Sequence, residues 1–207
     1  MPATITAKRT GRQVRRRQVK QFLDWLEKPW IITPRNLFLC FLLLYLASIV
    51  VLALNTFGFT RGLEGDPYSI LILFSYPGLL IRFLAHNLRI VFIEELGYRI
   101  VLLSFLFYAF CKVPKRTLVL LFATLVISVF ATWDHLRLLL RLGFENESFW
   151  SVASLQGVLW TLWYIFAIKV LHAASSPVKK AAATLAVLVA VHFLYNMTIP
   201  LLVIALN

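Results

Sequence analysis

From residue 37 to its end the chain alternates long apolar runs with short polar breaks. The runs cover Leu37–Leu54, Leu88–Cys111, Thr117–Leu138, Trp150–Leu171 and Ala181–Ala205. Each is near the roughly 20 residues an α-helix needs to cross about 30 Å of hydrocarbon. Lipid offers no partner to backbone N–H and C=O groups, so runs of this kind predict spanning helices. The breaks hold helix-ending residues: the turn-rich "NTFGFTRGLEGDPYS", the basic "KVPKR", the polar "GFENES" and the basic "SSPVKK". No repeat or low-complexity segment occurs.

One run stays open. "SILILFSYPGLLIRFL" (Ser69–Leu84) is short, with Pro77-Gly78 at its centre. It is either a sixth, kinked span or a re-entrant or interfacial segment. If it does not cross, the N-terminal arm, "KVPKR" and "SSPVKK" all lie on the cytoplasmic side; if it crosses, those two turns move outside. Charge placement favours five spans. Upstream, Val19, Phe22, Leu23 and Leu26 follow i, i+3, i+4, i+7 spacing, with Lys20, Asp24 and Lys28 among them. This predicts a short amphipathic helix lying on the bilayer and stopping before Pro29. The expected fold is therefore all-α: a polytopic membrane helix bundle of five or six transmembrane spans plus an N-terminal interfacial helix. Residues 1–35 form a basic cytoplasmic arm with the amphipathic helix, and residues 36–207 an integral membrane domain.

Composition agrees: 60% of the 207 residues are hydrophobic and only 14% charged, against about half and a quarter in soluble domains. Net charge is +12, and Lys8–Lys20 alone holds seven of the 21 Lys and Arg residues. Beside several spans, such a stretch is expected to meet anionic lipid rather than nucleic acid. Cys40 and Cys111 form no disulfide framework and are read as small buried hydrophobes. The first apolar run starts late and is long enough to span, so an anchor is expected rather than a cleaved signal. The expected location is the plasma (inner) membrane of a prokaryote, with a cytoplasmic N-terminus.

Against this background "FIEELGYRIV" (residues 92–101) stands out. Charged side chains near a span's centre each cost roughly 2.5–3.5 kcal/mol on insertion scales. Glu95 and Arg99 are i, i+4 neighbours and can pair. Glu94 points about 100° away, toward Tyr98, so a structural salt bridge accounts for Glu95 and Arg99 but not for Glu94. The last run contains "HFLYN", which puts His192 and Asn196 on one helix face, and "FATWDH" places His135 near the end of another. His86 and His172 are read as interfacial, and Trp150, Trp160 and Trp163 as anchors and packing. Polar groups in a bundle tend to face its interior. There Glu94 can take a proton from water, the histidines can orient that water, hold a metal or steady an oxyanion, and Asn196 can donate to the oxyanion.

At these residues the chain resembles the CAAX-protease and bacteriocin-processing (CPBP, or Abi) family of intramembrane endopeptidases. "EELGYR" (Glu94–Arg99) matches the motif E-E-x-x-x-R, and "HFLYN" (His192–Asn196) matches H-x-x-x-N. The F-x-x-x-H motif is met only in His135, because Ala131 stands four residues before it and Phe130 one residue too early; Ile100 stands where glycine is common. The resemblance covers Leu88 to Asn207. It implies that Glu94 activates water, Glu95 and Arg99 position it, His135 and His192 complete the water or metal site, and Asn196 stabilises the oxyanion. The substrate would be a membrane-tethered peptide or lipidated protein. Both a zinc site of His135, His192 and Glu94 and a metal-free glutamate mechanism fit the resemblance; the metal-free base is preferred. The alternatives are a non-catalytic membrane partner, such as an immunity factor or scaffold, and a small ion-coupled transporter.

Overall fold

The computed structural model describes residues 3–54, 75–141 and 146–206, apart from the side chains of 3–13, 15, 134–141, 146–153, 199, 200 and 202–206. The described residues form helices and turns with no strand. In order they are α1 (Ala3–Glu27), α2 (Pro34–Leu54), α3 (Pro77–Glu95), a π-helical stretch (Leu96–Leu102), α4 (Leu103–Ala109), α5 (Arg116–Arg141), α6 (Asn146–Leu171) and α7 (Pro177–Leu206). Three of these, α2, α3 and α7, open on proline, whose fixed φ suits a first turn and whose missing N–H has no helical partner to lose.

Four helical segments are long and apolar enough to cross a membrane: Pro34–Leu54, Arg116–Trp133, Ser154–Leu171 and Pro177–Thr198. The protein is thus an integral membrane protein. The run expected to span over Leu88–Cys111 passes without a break through the end of α3, the π stretch and α4 as far as Ala109, and it carries Glu94, Glu95 and Arg99. Ser69–Leu84 is not a single element. Residues 69–74 lie outside the described residues, Tyr76 is extended (φ −114°, ψ 98°), and Pro77 begins α3. Pro77 thus follows a break in the helix at Tyr76, with Ser75 helical on the other side of it. A total of five or six spans is therefore not shown by the described residues.

The outer faces of α2 and α5 leave Leu39, Leu43, Val50, Phe122, Val129 and Phe130 exposed. In a membrane these side chains meet lipid tails, which are as apolar as they are. The inner face of α5 is different. Thr117, Leu120, Thr124, Ser128 and Thr132 are all buried at helical spacing, and α5 packs extensively on α6. Small side chains let helix backbones approach closely. Two of the hydroxyls return to their own helix: Thr124 Oγ1 donates to the Leu121 carbonyl at 3.0 Å and Ser128 Oγ to that of Thr124 at 2.7 Å. Helix α6 is central, touching α1, α2, α5 and α7, with Leu159, Trp163, Tyr164, Ile168 and Val170 fully buried along it. Helix α7 packs on α2, α3 and the π stretch.

Helix α1 ends before Pro29, as the spacing predicts, but its helical content reaches back through the basic run. Of the four residues expected to form its apolar face, Leu26 is fully buried, whereas Val19 and Phe22 are exposed. The helix is fastened at its C-terminus. Lys169 Nζ donates to the carbonyls of Trp25 and Lys28, the latter at 2.8 Å, and lies 4.7 Å from the Trp25 ring. It thereby satisfies carbonyls that a helix end leaves without partners. Lys169→Met is expected to speed amide exchange in the last two turns of α1 about tenfold, as loss of such charged hydrogen bonds implies, with little change in α7. Unchanged exchange in α1 would remove this role from Lys169.

The cysteines depart from expectation. Cys40 is half-buried and Cys111 is exposed, in the turn that joins α4 to α5. Lys115, the residue before α5, adopts φ 59°, a left-handed conformation that a tight turn imposes.

Candidate functional site

The site is built where α3 passes into the π stretch. Two contacts join this region to α7 in opposite order along the chains: Asn87 meets Asn196, and Glu95 meets His192. Helices α3 and α7 are therefore antiparallel here. In the π stretch the backbone turns are wider by one residue, a feature often found at functional sites.

Glu95 is the hub. Its Oε1 accepts from Arg99 Nη1 at 3.1 Å and from His192 Nδ1 at 2.8 Å. All three residues are buried. An ionised carboxylate only accepts, so Nδ1 of His192 carries the hydrogen; in a neutral ring Nε2 is then the acceptor, and in an imidazolium a second donor. That Nε2 lies 3.8 Å from Glu94 Oε2, too far for a direct hydrogen bond and suited to a shared water. The two glutamates divide by exposure: the Glu95 side chain is 0% exposed and that of Glu94 22%. The 100° between successive helical residues turns one fully inward and leaves the other partly exposed.

Aromatic rings enclose the charge. The Arg99 guanidinium lies 4.2 Å from the Trp160 ring and 4.9 Å from that of Tyr164. Trp163 sits 5.1 Å from the His192 ring and stacks on Trp160. Among the described residues, Glu95 Oε2, Arg99 Nε and Nη2, and Trp163 Nε1 are buried without a hydrogen-bond partner. Ring faces partly replace solvent for the cation. Arg99→Lys is therefore not conservative, because it removes the planar stack. It is expected to destabilise the protein by about 1–3 kcal/mol, read as a lower thermal midpoint in detergent; an unchanged midpoint would show that the rings contribute little.

The structure thus brings together Glu94, Glu95, Arg99 and His192. Asn196, one turn along α7, uses one amide N–H to donate to Asn87 Oδ1 at 3.2 Å. The backbone of His135 lies in α5, but its side chain lies outside the described residues. No group of three His, Cys, Asp or Glu side chains that could hold a metal occurs among the described residues. A three-ligand zinc set would need His135 beside His192 Nε2 and Glu94. His86 is exposed within α3 and His172 follows α6; neither touches the site.

Sequence reasoning expected Glu94 and His192 to share the site, and they lie 3.8 Å apart; it did not anticipate the shorter contact of His192 with Glu95. It also left out Asn87, Trp160 and Trp163. The signal for the tryptophans was present: Trp160, Trp163 and Tyr164 share one helix face in a run expected to be buried, where an arginine needs covering. No family model, curated protein or solved structure matched the chain, so the CPBP resemblance stands on the residues of "EELGYR" and "HFLYN".

Proposed function

We propose that the protein is an intramembrane endopeptidase of the CPBP type, in which Glu94 activates a water to hydrolyse a peptide bond of a membrane-associated substrate. The observation that carries this reading is the placement of His192 between two adjacent carboxylates, with Nδ1 on Glu95 and Nε2 facing Glu94. Glu95, held by Arg99, fixes the ring orientation. A water between Glu94 and His192 Nε2 gives a proton to Glu94, and its oxygen bonds to the scissile carbonyl carbon. Asn196 donates to the resulting oxyanion. The C–N bond then breaks as Glu94 returns the proton to the departing amine. No step in this scheme passes through a metal. A zinc site of His135, His192 and Glu94 would hold Glu94 as a ligand and make it a poorer base.

The substrate is a membrane-tethered peptide or lipidated protein. The N-terminus lies in the cytoplasm of a prokaryote, and the basic arm meets anionic lipid of the inner membrane. The test is cleavage of tethered peptides, including ones with lipidated C-termini, by the protein in vesicles, with products identified by mass spectrometry. Products formed by the parent and not by Glu94→Gln support the reading; equal cleavage by both excludes Glu94 as base. A second reading is favoured by the complete burial of Glu95 and Arg99. A non-catalytic membrane partner would use their cluster only to hold α3 on α7, and its function would survive Glu94→Gln.

A further inference from the structure

A concavity of about 1090 Å³, lined by several charged side chains, lies at the ends of the spans rather than among them. One wall is a face of α1 carrying Arg16, Lys20, Asp24 and Glu27; facing it are Lys115 and Arg116 at the start of α5, and His172 just beyond α6. Four permanent cations oppose two carboxylates. Two of the lining groups share one ring: Arg116 lies 4.2 Å from Phe107, and His172 packs edge-on to it at 5.5 Å. His172 Nε2 is buried with no hydrogen-bond partner among the described residues. The positive end of the α5 helix dipole lies at the same place.

We propose that this groove binds a phosphate-bearing anion, the headgroup of an anionic phospholipid, between Arg16 and Lys20 of α1, Lys115 and Arg116 of the α4–α5 turn, and His172. Two observations favour a lipid source. The volume exceeds that of a phosphate group alone and accommodates a headgroup. The other side of α1 exposes Val14, Phe22 and Trp25, side chains that an interfacial helix buries at the acyl boundary. The groove then lies at headgroup level. The proposal rests on reading α1 as surface-bound, and none of its residues belongs to the glutamate–histidine site.

The His172 imidazole supplies an internal reporter. Burial pushes its pKa below the usual value, Arg116, Lys169 and Lys180 add to this, and Glu27 opposes it. An anion placed among Arg16, Lys20, Lys115 and Arg116, and beside Asp24 and Glu27, favours the imidazolium and raises that pKa again.

The full chain in neutral detergent is titrated with short-chain phosphatidylglycerol, short-chain phosphatidylcholine and inorganic phosphate. The His172 resonance, identified through His172→Phe, is followed at several pH values. Saturable binding of phosphatidylglycerol with a rise in the His172 pKa is expected, with weaker binding of the zwitterionic lipid. Arg116→Gln and Lys115→Asn, the latter tolerant of a left-handed residue, should each weaken binding about tenfold. Arg17→Gln, an exposed α1 charge outside the groove, should change it less than about twofold. Tighter binding of the lipid than of phosphate assigns the source to the bilayer, and the reverse assigns it to soluble phosphate; both retain the anion site. No saturable binding of either ligand, or equal weakening by Arg17→Gln and Arg116→Gln, overturns it. Peptide cleavage is measured separately, so failure of the peptidase reading leaves this result standing.

Discussion

Glu94→Gln is expected to lower peptide-bond cleavage about 10²- to 10⁴-fold, the range for loss of a positioned general base, while leaving the fold in place. Glutamine matches glutamate in size and keeps an oxygen that can hold water. It lacks a carboxylate able to accept the proton. The side chain is 22% exposed, unlike the fully buried Glu95, so loss of its charge is expected to disturb the fold less than the same change at Glu95. Thermal midpoint and detergent-solubilised yield should stay near those of the parent, while cleavage of tethered peptides disappears. A variant that unfolds would indicate that Glu94 holds the bundle together and would withdraw its assignment as base. A variant that cleaves normally would exclude that assignment outright.

Glu95→Gln, the same chemical change one residue along, is expected to act on stability first. Glu95 is fully buried, and its Oε1 receives both Arg99 and His192. Removing its charge leaves the buried guanidinium uncompensated, a loss of about 3–5 kcal/mol for a broken buried pair. Loss of the His192 anchor should abolish cleavage as well. The double variant Glu95→Gln/Arg99→Met removes both charges and should regain part of the lost midpoint, because an apolar replacement of a whole pair is much less harmful than half of it. Thermal unfolding of the parent, both single variants and the double variant closes a cycle, and a coupling near zero would show that the pair does not act as a unit.

Much of the bundle was legible because lipid imposes one requirement on many residues. The apolar runs matched α2, α5, α6 and α7 closely, and the proline and basic breaks marked their ends. Pairing of Glu95 with Arg99 followed from local spacing alone, as did the shared face of His192 and Asn196. What failed depended on how helices sit against each other. A π turn has no composition of its own. Which of two adjacent glutamates meets His192 is a difference of 100° on α3, set by the placement of α7. Asn87 lies two turns from Glu95 and gains meaning only through Asn196. Cys111 looked like part of a span because the apolar run continued through it, yet α4 ends at Ala109.

The cluster also has an arithmetic of charge. Two carboxylates, Glu94 and Glu95, stand against the guanidinium of Arg99, with the His192 imidazole between them. Low-dielectric surroundings penalise an excess of one sign. In the proposed reaction a proton passing from water to Glu94 would neutralise one carboxylate and move its negative charge onto the substrate oxygen. The cluster would then hold one negative charge fewer at the moment of bond formation, and insulating surroundings would favour that transfer rather than resist it.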